Sequence, residues 1–117
     1  IVMSKLANAL INDFRGDWSK PSIKFFRSNG AYGYMIWLTL MSHYFDKKNI
    51  SIEEIVATVS QYGSRRTVIN FINKGVDGNF IKKINSSEDK RKNLIQPTNI
   101  TIKEFREWSD KFTKSII

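Results

Sequence analysis

The sequence contains no cysteine and a single histidine, His43. The lack of cysteine excludes disulfide bonds, thiolate metal sites and thiol catalysis. The sequence has no metal-binding residues at the spacing of a known metal site. It also has no glycine-rich loop followed by Lys-Ser or Lys-Thr, the signature of a phosphate-binding loop. Glu53 and Glu54 are adjacent, so they point to different sides of a helix and cannot form a carboxylate pair. His43 falls in the most apolar segment and is expected in the core or an interface. We therefore expect a protein that is not an enzyme and has no metal or cofactor.

Long apolar runs are also missing. The longest densely apolar stretch, Tyr34 to Met41, is far shorter than the ~20 residues that a membrane-spanning helix needs. The chain does not open with a signal-peptide pattern, so a cytoplasmic protein is expected, associated with the bacterial nucleoid if its partner is DNA. The 117 residues, 41% of them hydrophobic, are enough for one domain, 1–117, and too few for two.

Acidic residues are scarce relative to basic ones. Eleven Asp and Glu stand against 19 Lys and Arg, a net charge of +8. Residues 63–96 hold eight basic and three acidic side chains and account for +5 of it. Such clustering is typical of a surface that meets nucleic acid, whereas a generally basic, solvated surface is the simpler alternative. The charge thus favours a nucleic-acid partner.

Helical periodicity appears first in residues 2–14, where apolar residues recur every four positions: Val2, Leu6, Leu10 and Phe14. Asp13 and Asp17 lie at the end of this helix and are expected to be solvated or capping groups. A second, more buried helix is predicted over 32–47, and Ile50 is expected to stand isolated after it.

Residues 18–30, between these helices, are expected to be irregular because Pro21 and Asn29-Gly30 break regular structure. The aromatic pair Phe25 and Phe26 is expected to fill core. The alternative is that the two rings stack on bases of a single-stranded nucleic acid within the basic stretch Lys20 to Arg27.

The next elements follow the order of a helix-turn-helix. Ser51 and Glu54 form the pattern of a capping box that opens a short helix. After a turn at 61–63, Ser64 is the expected N-cap of a helix over 64–74. Beyond that helix the chain has three residues that tolerate left-handed backbone: Gly75, Gly78 and Asn79.

The periodicity then becomes strand-like. Residues 80–84 and 93–96 are predicted to be short strands joined by a long polar loop. Thr101 and Glu104 form a second capping box, which opens a last helix. The order of elements predicts a mainly α fold with a small β-hairpin (α+β), a winged helix-turn-helix domain.

The helix over 64–74 is the candidate recognition helix for duplex DNA. Val68, Phe71 and Ile72 form its buried stripe. Side chains that suit a DNA groove occupy the remaining positions: Ser64, Arg65, Arg66, Thr67, Asn70, Asn73 and Lys74. Arginine can donate two hydrogen bonds to guanine, asparagine can pair with adenine, and hydroxyls can donate to phosphate. An ordinary solvated helix face would have a similar composition.

The polar loop is the candidate wing. Lys90, Arg91 and Lys92 lie together at its tip, where a long hairpin can reach an adjacent minor groove. A charged turn that only maintains solubility is the alternative. Its position directly after a recognition-type helix favours the wing.

Four short segments resemble the MarR family of bacterial winged-helix regulators: Ser64-Arg-Arg-Thr-Val68, Gly78-Asn-Phe-Ile-Lys-Lys83, Asp89-Lys-Arg91 and Pro97-Thr98. The resemblance covers residues 32–100, although Gly75 stands where the family usually has a core leucine. It implies a homodimer on a pseudo-palindromic operator, with Arg91 in the minor groove. It also implies that Asp89 holds the wing by pairing with a nearby cation.

The terminal helices, 1–15 and 101–117, carry more apolar surface than a small domain covers. We expect them to form the dimer interface, the alternative being that they pack on their own domain. A regulator of transcription that binds duplex DNA is thus the predicted function, with a small-molecule effector left open. The alternative is a winged-helix module whose basic face docks an acidic protein.

Overall fold

The computed structural model describes residues 2–16, 18–85 and 93–117. In these ranges the chain forms six helices and three strands, in the order α1 (Met3–Arg15), α2 (Pro21–Arg27), α3 (Ala31–Phe45), β1 (Ile50–Ser51), α4 (Ile52–Thr58), α5 (Arg65–Asp77), β2 (Ile81–Asn85), β3 (Asn93–Pro97) and α6 (Asn99–Ile116). The helices predicted over 2–14, 32–47 and 64–74 are confirmed. None of the helices in the described ranges is long and apolar enough to cross a bilayer.

A small antiparallel sheet follows α5, with the strand order β1-β3-β2. β2 and β3 form the predicted hairpin, displaced by about one residue from the predicted ends, and Ile81 pairs with Pro97. Ile50, which the sequence left isolated, belongs to a third strand because it pairs with Ile95 of β3. A strand of two residues is too short to show an alternating pattern, so only its partner reveals it.

The hydrophobic core lies between α2, α3, α5 and the sheet. Phe26, Trp37 and Ile72 are fully buried there, and α4 and α6 contribute Ile55 and Ile102. Every helix of the described ranges except α1 supplies a residue to this buried cluster. Helix α1 packs instead against α6, outside the winged-helix core.

The prediction of irregular structure over 18–30 is wrong for residues 21–27, which form α2. Pro21 occupies the first helical turn, where its missing N–H has no partner to lose and its fixed φ suits a helix. The Glu104 carboxylate of α6 accepts hydrogen bonds from the Ser22 N–H at 2.8 Å and the Ser22 hydroxyl at 2.6 Å. A carboxylate 82 residues away therefore caps this helix, which no local pattern could show.

The two phenylalanines of α2 fill core, as predicted. Phe26 is fully buried. Phe25 stacks on Phe71 of α5 at 4.5 Å between ring centroids and on Phe80 at 5.0 Å. Because its faces are occupied by other rings, Phe25 offers no platform for a nucleic-acid base.

The capping box predicted at Thr101 and Glu104 is also wrong. Helix α6 begins two residues earlier, at Asn99, with Thr98 as its N-cap. Thr101 is buried inside the helix, and its hydroxyl donates to the Phe80 carbonyl at 2.7 Å. Glu104 accepts from Ser22 at the start of α2 instead of capping its own helix.

The three positions expected to tolerate left-handed backbone behave differently from one another. Only Asn79 has a positive φ, 64°. Gly78 caps α5 with an ordinary right-handed φ of −82°. Gly75 lies inside α5, which continues three residues beyond its predicted end. A Cβ at Gly75 would lie 2.6 Å from the Ile81 side chain, so glycine here permits close packing of α5 on β2 and not a turn.

Asp13 is neither solvated nor a capping group, contrary to expectation. Its carboxylate accepts from the Arg27 guanidinium at 2.7 Å and from the Trp108 indole N–H at 2.6 Å, and it is largely buried. The Arg27 guanidinium also lies 4.7 Å from the ring centroids of both Trp18 and Tyr34. This cluster, here called the Arg27 junction, joins α1 to α2, α3 and α6. Asp17 lies outside the described residues.

Candidate nucleic-acid interface

Two capped helices and a short turn form the helix-turn-helix. The Ser51 hydroxyl accepts from the Glu54 N–H at 3.1 Å and also contacts the Glu54 carboxylate at 3.1 Å. In the same way the Ser64 hydroxyl accepts from the Thr67 N–H at 3.2 Å. Both predicted N-caps are confirmed. They fix where α4 and α5 begin and therefore which residues lie in the first turn of α5.

Helix α5 has one buried and one exposed side. Val68, Phe71 and Ile72 pack into the core, as predicted. The exposed side, here called the α5 outer face, carries all seven predicted groove-contacting residues: Ser64, Arg65, Arg66, Thr67, Asn70, Asn73 and Lys74. Their exposure is as expected, while their contact with DNA stays a prediction.

One charged contact on this face was missed by the sequence analysis. The Arg65 guanidinium donates to the Glu53 carboxylate of α4, and both side chains are mostly exposed, 60% and 66% respectively. The two residues are twelve positions apart. A helix-turn-helix brings them together across its turn, so the pair depends on the angle between α4 and α5.

The hairpin follows α5 almost without a linker. The Phe80 N–H donates to the Gly75 carbonyl at 2.8 Å, and the Thr98 N–H donates to the Phe80 carbonyl at 3.2 Å. These bonds fix the base of the hairpin to the end of α5 and the start of α6. Lys82 and Lys83 are exposed on β2. The wing residues Lys90, Arg91 and Lys92, together with Asp89, lie outside the described residues.

Helix α1 exposes an apolar stripe. Leu10 is 41% and Phe14 61% exposed, and Val2, Met3 and Ile11 are also exposed. α1 does pack on α6 of the same chain, so the alternative of intramolecular packing is correct for part of the stripe. The part of the stripe that stays exposed is the surface through which the predicted dimer would form.

The described residues hold no group of three or more His, Cys, Asp or Glu that could bind a metal ion. His43 is half-buried on α3, and its ring Nδ1 lies 2.9 Å from the Thr39 carbonyl oxygen. A cavity of about 190 Å³ opens between α1, α2 and α6, with Trp18, Ile23 and Trp108 among its lining residues.

No family model matches the sequence, and no curated protein matches it significantly. Solved structures do match it. A MepR mutant from a multidrug-resistant S. aureus clinical isolate aligns with a TM-score of 0.64 and 17% identity, over 97% of this chain and 78% of MepR. The heme sensor protein PefR from Streptococcus agalactiae, in complex with heme, aligns with a TM-score of 0.53 and 19% identity, over 94% of this chain and 75% of PefR. MepR and PefR are MarR-family winged-helix regulators, so the predicted MarR-type winged-helix fold is confirmed.

Proposed function

We propose that this protein regulates transcription in the bacterial cytoplasm by binding specific sequences of duplex DNA as a homodimer. One observation carries the proposal. The α5 outer face presents polar and cationic side chains, with one exposed acid, Asp77, at its C-terminal end, while every large apolar residue of α5 is fully or partly withdrawn from solvent. A surface of this composition, on the second helix of a helix-turn-helix, suits the major groove.

Each residue of the α5 outer face has a distinct proposed role. Arg65 reads guanine through O6 and N7, and Asn70 reads adenine through N6 and N7. Ser64 and Thr67 lie at the helix N-terminus, where free backbone N–H groups favour a phosphate. Arg66, Asn73 and Lys74 contact the neighbouring sugar-phosphate backbone or base edges and set the register of the helix in the groove.

The wing supplies the second contact. Because β2 begins close to the end of α5, the loop between β2 and β3 is proposed to bind the adjacent minor groove. Lys90, Arg91 and Lys92 bind there, with Arg91 inserted where A·T-rich sequence narrows the groove. Asp89 is proposed to hold the loop by pairing with a cation. The antiparallel pairing of β2 and β3 places Asn85 opposite Asn93, at the two ends of this loop.

A homodimer places two α5 helices on successive turns of the duplex, roughly 34 Å apart. The exposed apolar stripe of α1 supports this assembly, since a second copy can cover it by two-fold symmetry. α6 packs on α1 and is therefore adjacent to this stripe. Residues 1–15 and 101–117 are therefore proposed as the dimerisation helices around a DNA-binding core, 32–100.

Duplexes selected from a random library test the proposal. We expect Arg65→Ala and Asn70→Ala to weaken binding to the selected duplex by about 1–3 kcal/mol and to relax base preference. Arg91→Ala should weaken binding mostly where the flanks are A·T-rich, and each lost phosphate contact should reduce the log–log salt slope by about one. Lys24→Ala is the matched control, because Lys24 is an exposed cation of α2 outside the α5 outer face and the proposed dimerisation helices. Unchanged affinity in Arg65→Ala, Asn70→Ala and Arg91→Ala would contradict these roles.

A second basic surface favours a second candidate function, the docking of an acidic protein. Lys47, Lys48 and Arg106 line a pocket of about 440 Å³ that no residue of α5 shares, and the Arg106 guanidinium lies 5.4 Å from the Phe45 ring centroid. DNA binding does not need these cations. If the chain fails to retard any duplex even at low salt, this surface becomes the better candidate.

A further inference from the structure

The ion pair between Glu53 and Arg65 places a carboxylate at the edge of the proposed DNA-binding surface. Glu53 lies in the first turn of α4, and its carboxylate contacts the guanidinium at the first position of α5. Arg66 and Lys74 are the other cations of the α5 outer face, and the exposed Asp77 lies at its far, C-terminal end. Among the described residues, Glu53 is the acidic side chain that the structure pairs with this face.

The stability of the fold does not explain this carboxylate. Glu54, the next residue, already completes the cap of α4 with Ser51. An ion pair in which both partners are mostly exposed contributes little to folding, because water and salt screen it and two long side chains must be ordered. An acidic side chain in the first turn of α4 interacts favourably with the helix dipole, but Glu54 provides that interaction as well.

The pair does have a consequence for binding DNA. DNA phosphates repel a nearby carboxylate. The Glu53 carboxylate also neutralises Arg65, which would otherwise attract the phosphates of DNA of any sequence. A guanidinium has five N–H donors in a planar fork. Arg65 can therefore give two of them to the O6 and N7 of a guanine while another still reaches Glu53. When no guanine is present, the ion pair with Glu53 continues to neutralise the charge of Arg65.

We propose, on the basis of the DNA-binding function above, that Glu53 is a specificity-determining positioning residue. It orients the guanidinium of Arg65 towards a guanine edge and lowers the attraction of Arg65 for phosphates of unrelated sequence. The effect is on the ratio of specific to non-specific affinity, which decides occupancy against the many competing sites of a genome.

The test compares Glu53→Gln with the wild type on two duplexes, the one selected from a random library and one of scrambled sequence. Glu53→Gln keeps the side-chain shape and removes the charge. We expect affinity for the scrambled duplex to rise about three- to tenfold at low salt, with its log–log salt slope steeper by up to about one. Affinity for the selected duplex should change by less than about twofold, so the specificity ratio falls.

Three controls separate positioning from a general change in charge or fold. Asp46→Asn makes the same charge change at the end of α3, outside α5 and the proposed dimerisation helices, and should raise the affinity for both duplexes equally and slightly. Glu53→Asp restores the carboxylate and should restore most of the specificity ratio. In an Arg65→Ala background, Glu53→Gln should leave the ratio unchanged, because the residue that Glu53 positions is gone.

The outcomes distinguish this inference from the function on which it rests. A wild-type chain that binds neither duplex would refute the DNA-binding function itself. If the wild type is selective, an equal effect of Glu53→Gln on both duplexes, or an effect that persists without Arg65, would overturn the role of Glu53 alone. Thermal unfolding of each variant, followed by circular dichroism, confirms that the variants compared are folded.

Discussion

Helices α1 and α5 are alike in sequence and opposite in structure. Each has 13 residues and one apolar side. In α5 that side is buried, with Phe71 only 3% exposed, so the polar side faces solvent. In α1 the apolar side is itself exposed, as Leu10 and Phe14 show. The comparison teaches that an amphipathic pattern predicts a helix and its faces but not which face the domain covers.

The two helices are also held by different forces. α5 is attached through apolar packing on α2, α4 and β2, with phenylalanine rings stacked between them. The end of α1 is attached through polar groups at the Arg27 junction, where Asp13 accepts from a guanidinium and an indole. Apolar packing tolerates small shifts, whereas a buried charge needs its partner in place. The two regions should therefore respond differently to mutation.

The largest expected effect is on the buried side of α5. Phe71→Ala should lower the free energy of unfolding by about 3–5 kcal/mol, because it removes a buried ring and leaves a cavity among the stacked aromatics. Leu10→Ala, the matched change on α1, should cost less than about 1 kcal/mol at low protein concentration, since much of that side chain remains in water. Urea titrations measure both. Equal losses would remove the contrast between the helices.

The next effect is expected at the Arg27 junction. Asp13→Asn should cost about 3 kcal/mol, because it leaves the buried Arg27 guanidinium without a counter-charge. Adding Arg27→Met to that variant should recover part of the loss, since the unpaired charge is then removed. The same urea titrations measure this recovery. If the double variant is less stable than Asp13→Asn, the rings around Arg27 contribute more than the ion pair does.

A third prediction concerns what covers the exposed side of α1. Leu10→Glu should weaken self-association at least tenfold, about 1.4 kcal/mol, because a charge would be buried in the proposed dimer interface. Asn8→Glu adds the same charge on a polar, exposed position of α1 and should leave the association unchanged. Sedimentation equilibrium measures both variants. A wild-type chain that stays monomeric at high micromolar concentration would contradict the dimer.

The smallest effect is expected from the exposed ion pair of Lys20 with Glu107 on α6. The hydrogen bond between them raises the pKa of Lys20 above its ordinary value and lowers the pKa of Glu107. Glu107 therefore stabilises the fold above its unfolded pKa, near 4.5, and loses this contribution as the pH falls through its lowered folded value. Lys20 stabilises below its unfolded pKa, near 10.5, and loses its contribution as the pH rises through its raised value.

Glu107→Gln should accordingly lower the Tm slightly and evenly around neutral pH. The difference from wild type should disappear at both extremes of pH. In strong acid Glu107 of the wild type is protonated and neutral, and in strong alkali Lys20 is neutral in the wild type and in the variant, so no ion pair remains to be lost. Since both groups are exposed, 1 M salt should also remove most of the difference. A difference that persists at low pH would mean that Glu107 acts through something other than its charge.

Much of the winged helix was predictable because its signals are local. Ser51 and Ser64 cap α4 and α5 as their sequence patterns predict, and the stripe of Val68, Phe71 and Ile72 identifies the outer face of α5 without coordinates. What failed was non-local. The Ser22 N–H at the start of α2 is satisfied by Glu104 of α6, and β1 exists only because β3 lies beside it.

The sequence by itself determined the helices with strong periodicity, the two N-caps, the hairpin and the set of polar residues on α5. These follow from contacts within a few residues, where backbone geometry fixes what is adjacent. Only the tertiary structure decided that Asp13 is buried against Arg27, that Thr101 and Glu104 serve other elements and that Glu53 reaches Arg65. Each of these contacts joins residues at least twelve positions apart, and their meeting depends on how whole helices pack.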